Sequence, residues 1–481
     1  MSSAEQTPLD VVVVGAGFGG LCAAIKLKAA GKRFVVLEKA ADLGGTWLIN
    51  RYPGCWCDVA SHLYSLSFAP NPGWSRQFSD SEEIWRYMKS VASAHSLDDH
   101  FQFNANVTAL KFDDSSSCWH VDVSGGQRFV ARSVILATGA LSRPALPDVD
   151  GVGEFCGAVW HSQNWNHDVD LKGKRVAVIG TGASAIQFVP HVAEHAAQVT
   201  VYQRSAPWIL PKPDRPIRSF EQRAWIYMAN ELRILAFVRF PSLLPLFEWL
   251  AKRHMRQAIR DPILQYQLTP RYRIGCKRIL ISNDYYPALA KPHVTLVPHG
   301  VRAVDHAGVT AADGEHREHD VLIFGTGFSV MTPYDEGFIT GAGGQDLART
   351  WRDGPTAYLG TMVHGFPNLF MLAGPNTGLG HNSMIYMLES QVELVMSLLG
   401  VFDEGYQRIS VRAEAQAAYN DTLHAQLRDT VWNQGGCTSW YRHGSGLNAA
   451  IWPDYTWRFR RRARSSPRAH FDTVSEPAAV D

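Results

Sequence analysis

The feature that most constrains the fold is DVVVVGAGFGG, Asp10 to Gly20, together with the LCAAIKLKAAGKRFVVLE that carries the chain on to Glu38. The β-branched run Asp10 to Val14 has the length and composition of a buried strand, and it enters a turn with Gly15, Gly17 and Gly20 in G-x-G-x-x-G spacing. In such a turn the first glycine makes the tight bend. The second lets the backbone approach a pyrophosphate, and the third lets helix and strand pack closely. The alanine-rich stretch that follows favours a helix, with a C-cap at Gly31, and Arg33 to Leu37 form a second strand ending at Glu38. A helix N-terminus there faces phosphates, and a carboxylate there accepts hydrogen bonds from ribose hydroxyls. Strand, glycine loop, helix, strand and acid in this order make a dinucleotide-binding unit.

The same grammar returns at KRVAVI, Lys174 to Ile179, followed by Gly180, Gly182 and Ala185, a helix expected to be kinked or shortened by Pro190, and the strand QVTVYQ ending at Arg204. Counting 23 positions on from the first glycine reaches Glu38 in the first unit but Gln203 in the second, beside Arg204. A carboxylate would repel a 2'-phosphate, whereas a neutral residue next to an arginine attracts it, so NADP is favoured over NAD. Two dinucleotide sites in one chain suggest one cofactor reducing the other, with FAD at the first and NADPH at the second.

A chain of 481 residues exceeds what one core supports. The expected fold class is α/β, with two Rossmann-like dinucleotide-binding domains, for FAD and NADP, and a helical insertion. VILATGA (134–140) and VLIFGTGF (321–328) are apolar runs ending in Thr-Gly, as if the chain left one domain after the first and returned after the second. The expected FAD domain is therefore discontinuous, 1–143 and 326–481, and the NADP domain spans 150–215 and 276–325. Residues 216–275 lack glycine loops and read as the helical insertion, with Trp225, Phe237, Phe247 and Trp249 expected in a core. The tail after about Arg468 lacks apolar periodicity and is expected to be disordered.

The 46 basic and 45 acidic residues cancel, which removes a general electrostatic case for nucleic acid or an anionic membrane. The RFRRRAR run is expected to be a solvated helix turn. MSSAEQTPLD shows no basic segment followed by an apolar core, so a cytoplasmic location is expected. The apolar stretch Leu243 to Leu250 contains Pro245 and Glu248 and is far shorter than the ~20 residues a spanning helix requires. Seven cysteines, an odd number, form neither a disulfide framework nor a zinc spacing, so reduced thiols and no metal site are expected. Cys55-x-Cys57 is the closest pair. A disulfide across one residue would be strained, which argues against a disulfide reductase.

The segment Phe155-x-Gly157-x-x-x-His161-x-x-x-Trp165, lying between the two nucleotide units, resembles the fingerprint of type I Baeyer-Villiger monooxygenases. These FAD- and NADPH-dependent enzymes use O2 to insert an oxygen atom beside a ketone carbonyl. Related heteroatom-oxygenating enzymes usually carry Tyr or Phe where this chain has Trp165, and Asn166 stands where the family usually has Pro or Asp. A second stretch, Gly44-Gly45-x-Trp47, Tyr52-Pro53-Gly54 and Asp58, is similar to the family's other signature. Lys277 and Arg278 resemble a basic pair beside the NADP phosphate and the flavin. Ser439-Trp440-Tyr441 resembles a mobile segment that closes over NADP, with Trp440 as the contact. GPNTGLGHNSMIYMLESQ (374–391) and AAIWPDYTWRFRRR are most similar to the 4-hydroxyacetophenone monooxygenase branch.

The resemblance implies a product ester or lactone formed through a flavin C4a-peroxide. That species must remain an anion to attack a carbonyl, and an anion in a dry site requires a fixed cation, the implied role of Arg278. Asp58 is implied to orient Arg278 through an ion pair. His161 is implied to be structural, coupling the two domains, with Gly157 permitting a turn and the aromatics anchoring it. Two alternatives stand beside this reading: a flavin monooxygenase oxidising amines or thioethers, and a non-catalytic nucleotide-binding module.

Overall fold

Leu9–Val14 lies inside an eight-stranded mixed sheet, parallel to Phe34–Leu37 on one side and to Arg128–Leu136 on the other, with Val12 opposite Val35 and Val134. The four valines Val11 to Val14 are all buried, and they alternate between two cores. Val11 and Val13 join the cluster that holds the glycine-loop helix, Phe18–Ala29, and Val12 and Val14 join the cluster around Trp119 and Phe366. A strand covered on both faces reads as an unbroken apolar run for this reason. The sheet continues through the antiparallel strands Cys118–Val123 and Val107–Asp113, and Leu369–Met371 pairs in parallel with Arg128–Leu136.

Five parallel strands form a second sheet, in the order Val294–Val297, Gln198–Tyr202, Arg175–Ile179, Val321–Phe324, Ala158–His161. The segments joining the two sheets run side by side: Ala145 N donates to Gly327 O at 2.9 Å, Ser329 N to Arg143 O at 2.9 Å, and Thr326 Oγ1 to Ala145 O at 2.6 Å. The computed structural model describes residues 7–216 and 222–475.

Helices Gln222–Ile234, Leu244–Ala258 and Pro262–Gln267 lie between the paired short strands Ile209–Leu210 and Leu280–Ile281. Their aromatics depart from expectation. Phe237 is buried edge-on against Trp432 at 5.9 Å, but Trp225 and Trp249 are 79% and 52% exposed. The buried apolar positions of this segment are taken by Ile234, Phe237, Leu244, Ala251 and Met255.

Four further expectations are corrected. The helix Ala185–His195 runs through Pro190, whose buried neighbours Ile186, Val189 and Val192 hold the segment in place. The tail is ordered as far as Ser475, because Phe471–Ser475 pairs antiparallel with Tyr406–Val411; residues 476–481 lie outside the described residues. The RFRRRAR run is tied inward as well as solvated: Arg460 bonds Glu389 at 3.0 Å and lies over the Tyr386 ring at 3.7 Å, and Arg464 bonds Glu393 at 2.7 Å. Cys276 and Cys437 form a disulfide across 161 residues, where reduced thiols were expected. Among the described residues one helix, Met384–Asp403, is long and apolar enough to cross a membrane, and 61% of its most apolar window is buried inside the molecule.

Candidate functional site

The first glycine loop is built by close approach. Gly15 has φ +104°, and a Cβ there would meet Ala137 O at 2.6 Å; a Cβ on Gly20 would lie 1.9 Å from Gly15 O. Gly45 stands opposite Gly17, where its Cβ would come within 2.9 Å of the Gly17 Cα, and Gly44 N donates to Ala16 O at 3.0 Å. No side chain caps the helix that starts at Phe18, and its first turn holds no acid, so its N-terminal amides remain available to an anion. Glu38 is buried and accepts from Ala16 N at 2.7 Å and Ala40 N at 2.9 Å. It braces the loop from behind, and each oxygen keeps a lone pair for a further donor. Trp47, two residues after Gly45, is buried edge-on to Tyr64 at 5.5 Å.

The second loop repeats the construction. Gly180 has φ +107°, and its Cβ would lie 2.5 Å from Gly325 O. Ala137 and Gly325 immediately precede the Thr-Gly of the two similar runs, so each run closes over the first glycine of its own loop. Gly182 precedes the helix, and Ala185, its first residue, is buried with its methyl close against Gly325. Both loops fit a dinucleotide: the tight approaches at Gly15, Gly20 and Gly180 close each turn against its own backbone, while at the middle glycines a Cβ would meet only Gly45 Cα at 3.7 Å from Gly17 and Gly325 O at 3.8 Å from Gly182, which leaves the open approach a pyrophosphate needs.

At the second loop the structure brings Arg204 and Lys277 together. Lys277 donates to Ser205 Oγ at 2.9 Å, and burial together with the nearby Arg204 charge holds its pKa below the ordinary lysine value. Adjacent cations at a strand end with a hydroxyl between them suit a phosphate.

Asp58 and Arg278 also meet, across 220 residues of chain. Arg278 donates Nε to Asp58 Oδ2 at 2.6 Å and Nη2 to Oδ1 at 2.7 Å, a bidentate pair, while Nη1 donates to Leu379 O at 3.2 Å. The Asp58 charge raises the Arg278 pKa further above its ordinary value, so the guanidinium stays charged. Its side chain is still 32% exposed, which leaves one face open. Tyr441 lies alongside, its phenol pushed up to about 12 by burial. Trp440 is 47% exposed and packs edge-on against Tyr441 at 4.5 Å.

Of the linker fingerprint, Phe155 is buried in the second sheet's core, and Trp165 packs on Phe188 at 5.3 Å. Gly157 lacks the left-handed backbone of a turn glycine. Its constraint is space, since a Cβ would meet Asp320 O at 2.3 Å and the Phe155 ring at 2.5 Å. His161 ends the strand Ala158–His161, accepts from Gln163 N at 3.1 Å and stands edge-on to Phe328 at 5.6 Å, beside the paired connecting segments. Burial holds its pKa below the usual histidine value.

Other contacts escaped the sequence reading. Tyr52 donates to Gln187 Oε1 at 2.9 Å, and Gln187 Nε2 donates to Trp56 O at 3.1 Å, which docks the Tyr52-Pro53-Gly54 segment on the second loop's helix. Buried Glu231, in the insertion, accepts from Thr456 Oγ1 at 2.7 Å, from Thr456 N at 3.0 Å and from Asn382 Nδ2, and stands 3.6 Å from His381. These partners hold its pKa below the ordinary glutamate value despite burial.

The chain matches the family described as FMO-like, flavin-binding monooxygenase-like, over residues 9–342. It is 45% identical to a Baeyer-Villiger monooxygenase of Pseudomonas aeruginosa across 99% of this chain and 95% of that protein. The chain belongs to the Baeyer-Villiger monooxygenases. A second Baeyer-Villiger monooxygenase, from Streptomyces coelicolor, is 44% identical over 98% of this chain and 94% of its own length. Solved Baeyer-Villiger structures agree with the fold. A steroid monooxygenase bound to NADP matches with TM-score 0.85 at 30% identity, and OTEMO in complex with FAD and NADP with TM-score 0.87 at 26%; each match covers 98% of this chain and 100% of the other.

Proposed function

We propose that this Baeyer-Villiger monooxygenase binds FAD on the Gly15–Gly20 loop, with Glu38, Gly45 and Trp47, and NADPH on the Gly180–Ala185 loop, with Arg204, Lys277 and Trp440. The corresponding domains are 1–143 with 326–481 for FAD and 150–215 with 276–325 for NADP, with 216–275 as the insertion. Held there, FAD would supply the hydride-accepting and O2-activating chemistry that NADPH feeds, and the enzyme inserts one oxygen atom beside a ketone carbonyl to give an ester or lactone.

The observation that carries the residue assignment is the bidentate Asp58–Arg278 pair, whose arginine side chain stays part-exposed. A guanidinium held by two bonds cannot rotate away or lose its proton, so it presents a fixed positive charge to whatever negative charge develops in the site. Attack on a ketone carbon places negative charge on the former carbonyl oxygen, and Arg278 is positioned to stabilise it. Asp58 aims the cation, and Leu379 O fixes its third nitrogen. Arg204 and Lys277 select the 2'-phosphate. His161, with Phe155, Gly157 and Trp165, couples the two cofactor domains at their paired connecting segments. We place the chain in the 4-hydroxyacetophenone monooxygenase branch on its 374–391 and 449–462 stretches.

The test is incubation of the purified protein with NADPH, air and a panel of aryl, cyclic and linear ketones, read by mass spectrometry. Products heavier by one oxygen atom that require NADPH are expected. NADPH consumed only to hydrogen peroxide across the panel, with oxygen transferred to amines or thioethers instead, would replace the ketone reading with heteroatom oxygenation.

A further inference from the structure

Cys276 immediately precedes Lys277 and Arg278, and Cys437 lies three residues before Trp440 and four before Tyr441. Their disulfide therefore ties the backbone carrying the two active-site cations to the segment that packs over them. Three observations show how much depends on that bond. Gly435 lies directly on Cys276, where a Cβ would come within 2.5 Å of the cysteine Cβ and 2.8 Å of its sulfur, and Arg273 N donates to Gly435 O at 2.9 Å. Beyond that point no backbone–backbone hydrogen bond among the described residues involves Gly436, Cys437 or Thr438. Cys276 is fully buried, while Cys437 is half-buried and is the more accessible of the two.

We propose that Cys276 and Cys437 are a redox-active pair, a modification site whose reactants are a dithiol and hydrogen peroxide, and that it sets how tightly the 436–441 segment closes over the nicotinamide dinucleotide. The inference rests on the reading that this segment covers NADP. With the bond intact, Trp440 moves on a tether of three residues, about 10 Å, pivoting at Cys276. With the bond broken, Gly436 to Thr438 lose that tie and the segment is held only at its far end, where Ala449 N donates to Tyr441 O at 3.2 Å and Arg442 N to Ser439 O at 3.1 Å, so its closure loosens.

The chemistry balances at each step. A dithiol thiolate attacks Cys437 Sγ, a mixed disulfide forms, and the second thiol resolves it; the S–S bond breaks, the reductant becomes a cyclic disulfide, and each protein sulfur gains a proton. In the other direction one hydrogen peroxide takes two electrons from the two thiols, giving the disulfide and two waters. The enzyme itself supplies that peroxide whenever NADPH, a proton and O2 are consumed without oxygen insertion. An open segment that lets NADP escape early wastes NADPH as peroxide, and the peroxide re-forms the bond that closes it.

The experiment uses the FAD-loaded enzyme, oxidised or treated with dithiothreitol and then desalted. Alkylation with iodoacetamide and mass spectrometry should show Cys276 and Cys437 labelled only after reduction. Reduction should weaken NADP+ binding by about threefold or more in equilibrium dialysis, because a preorganised loop binds more tightly than a free one, and should raise peroxide released per NADPH. Hydrogen peroxide should reverse both effects, and Cys437→Ser should behave as the reduced enzyme whatever the treatment. Equal NADP+ affinity and equal peroxide yield in the two states would overturn the proposal, as would a Cys437→Ser enzyme that still responds to dithiothreitol. Trp440→Ala separates the redox switch from the closure over NADP. If it weakens NADP+ binding while reduction does not, the switch alone fails; if it leaves NADP+ binding unchanged, the closure reading fails.

Discussion

Arg204 and Lys277 come from segments 73 positions apart and meet at Ser205, which makes cofactor choice a property of two side chains. Replacing either by alanine should remove about 2 kcal/mol of charge-assisted bonding, roughly thirtyfold in the Michaelis constant for NADPH, with little change for NADH. Equal effects on both cofactors would remove the 2'-phosphate assignment. The depressed Lys277 pKa adds a pH dependence. The phosphate needs the charged amine, so NADPH affinity should begin to fall at a lower alkaline pH than an ordinary lysine would give, and Lys277→Arg should shift that fall upward. Both members of this pair can be found in the sequence, because one ends a strand at a fixed distance from a glycine loop and the other sits in a recognisable basic pair. That they touch cannot be read, since nothing local encodes the path between them.

The glycine loops are the elements most legible from sequence, because their requirements are local: a positive φ at Gly15 and Gly180, and a missing Cβ at Gly20. Gly20→Ala would place a methyl 1.9 Å from Gly15 O and force strand and helix apart, so the purified protein should lose its yellow colour while keeping the second loop's affinity for NADP+. Full FAD content in that variant would contradict the assignment of the loop. Other elements were misread because tertiary contacts decide them. Phe471–Ser475 has no apolar period, yet it is ordered by pairing with Tyr406–Val411. Trp225 and Trp249 look like core residues, yet they face outward because their helices have only one side to bury. Glu231 anchors that insertion to Asn382 and Thr456. Glu231→Ala should leave buried donors unpaired, cost about 3 kcal/mol and lower the melting temperature, whereas Glu231→Gln should lose less.

At the scale of the whole molecule, the contacts that join the two dinucleotide-type units come from distant pieces of chain. Tyr52 docks on Gln187, His161 abuts Phe328 beside the paired connecting segments, and Asp58 holds Arg278 across 220 residues. Coupling of the halves predicts that His161→Ala keeps FAD and still oxidises NADPH but releases more of it as peroxide; unchanged turnover and coupling would show that His161 has no such role. The two-unit organisation was legible because each unit repeats one local pattern. The Cys276–Cys437 bond was not, because 161 residues separate the partners and only the assembled fold sets them side by side. The central claim is that Arg278, aimed by Asp58, is the fixed cation on which oxygen insertion depends. It is tested most directly by rapid mixing of FAD-loaded Arg278→Ala with NADPH, followed by product analysis with a ketone that the wild type converts. Flavin reduction should proceed at a rate close to wild type while no ester forms. An Arg278→Ala enzyme that still makes ester would contradict the account.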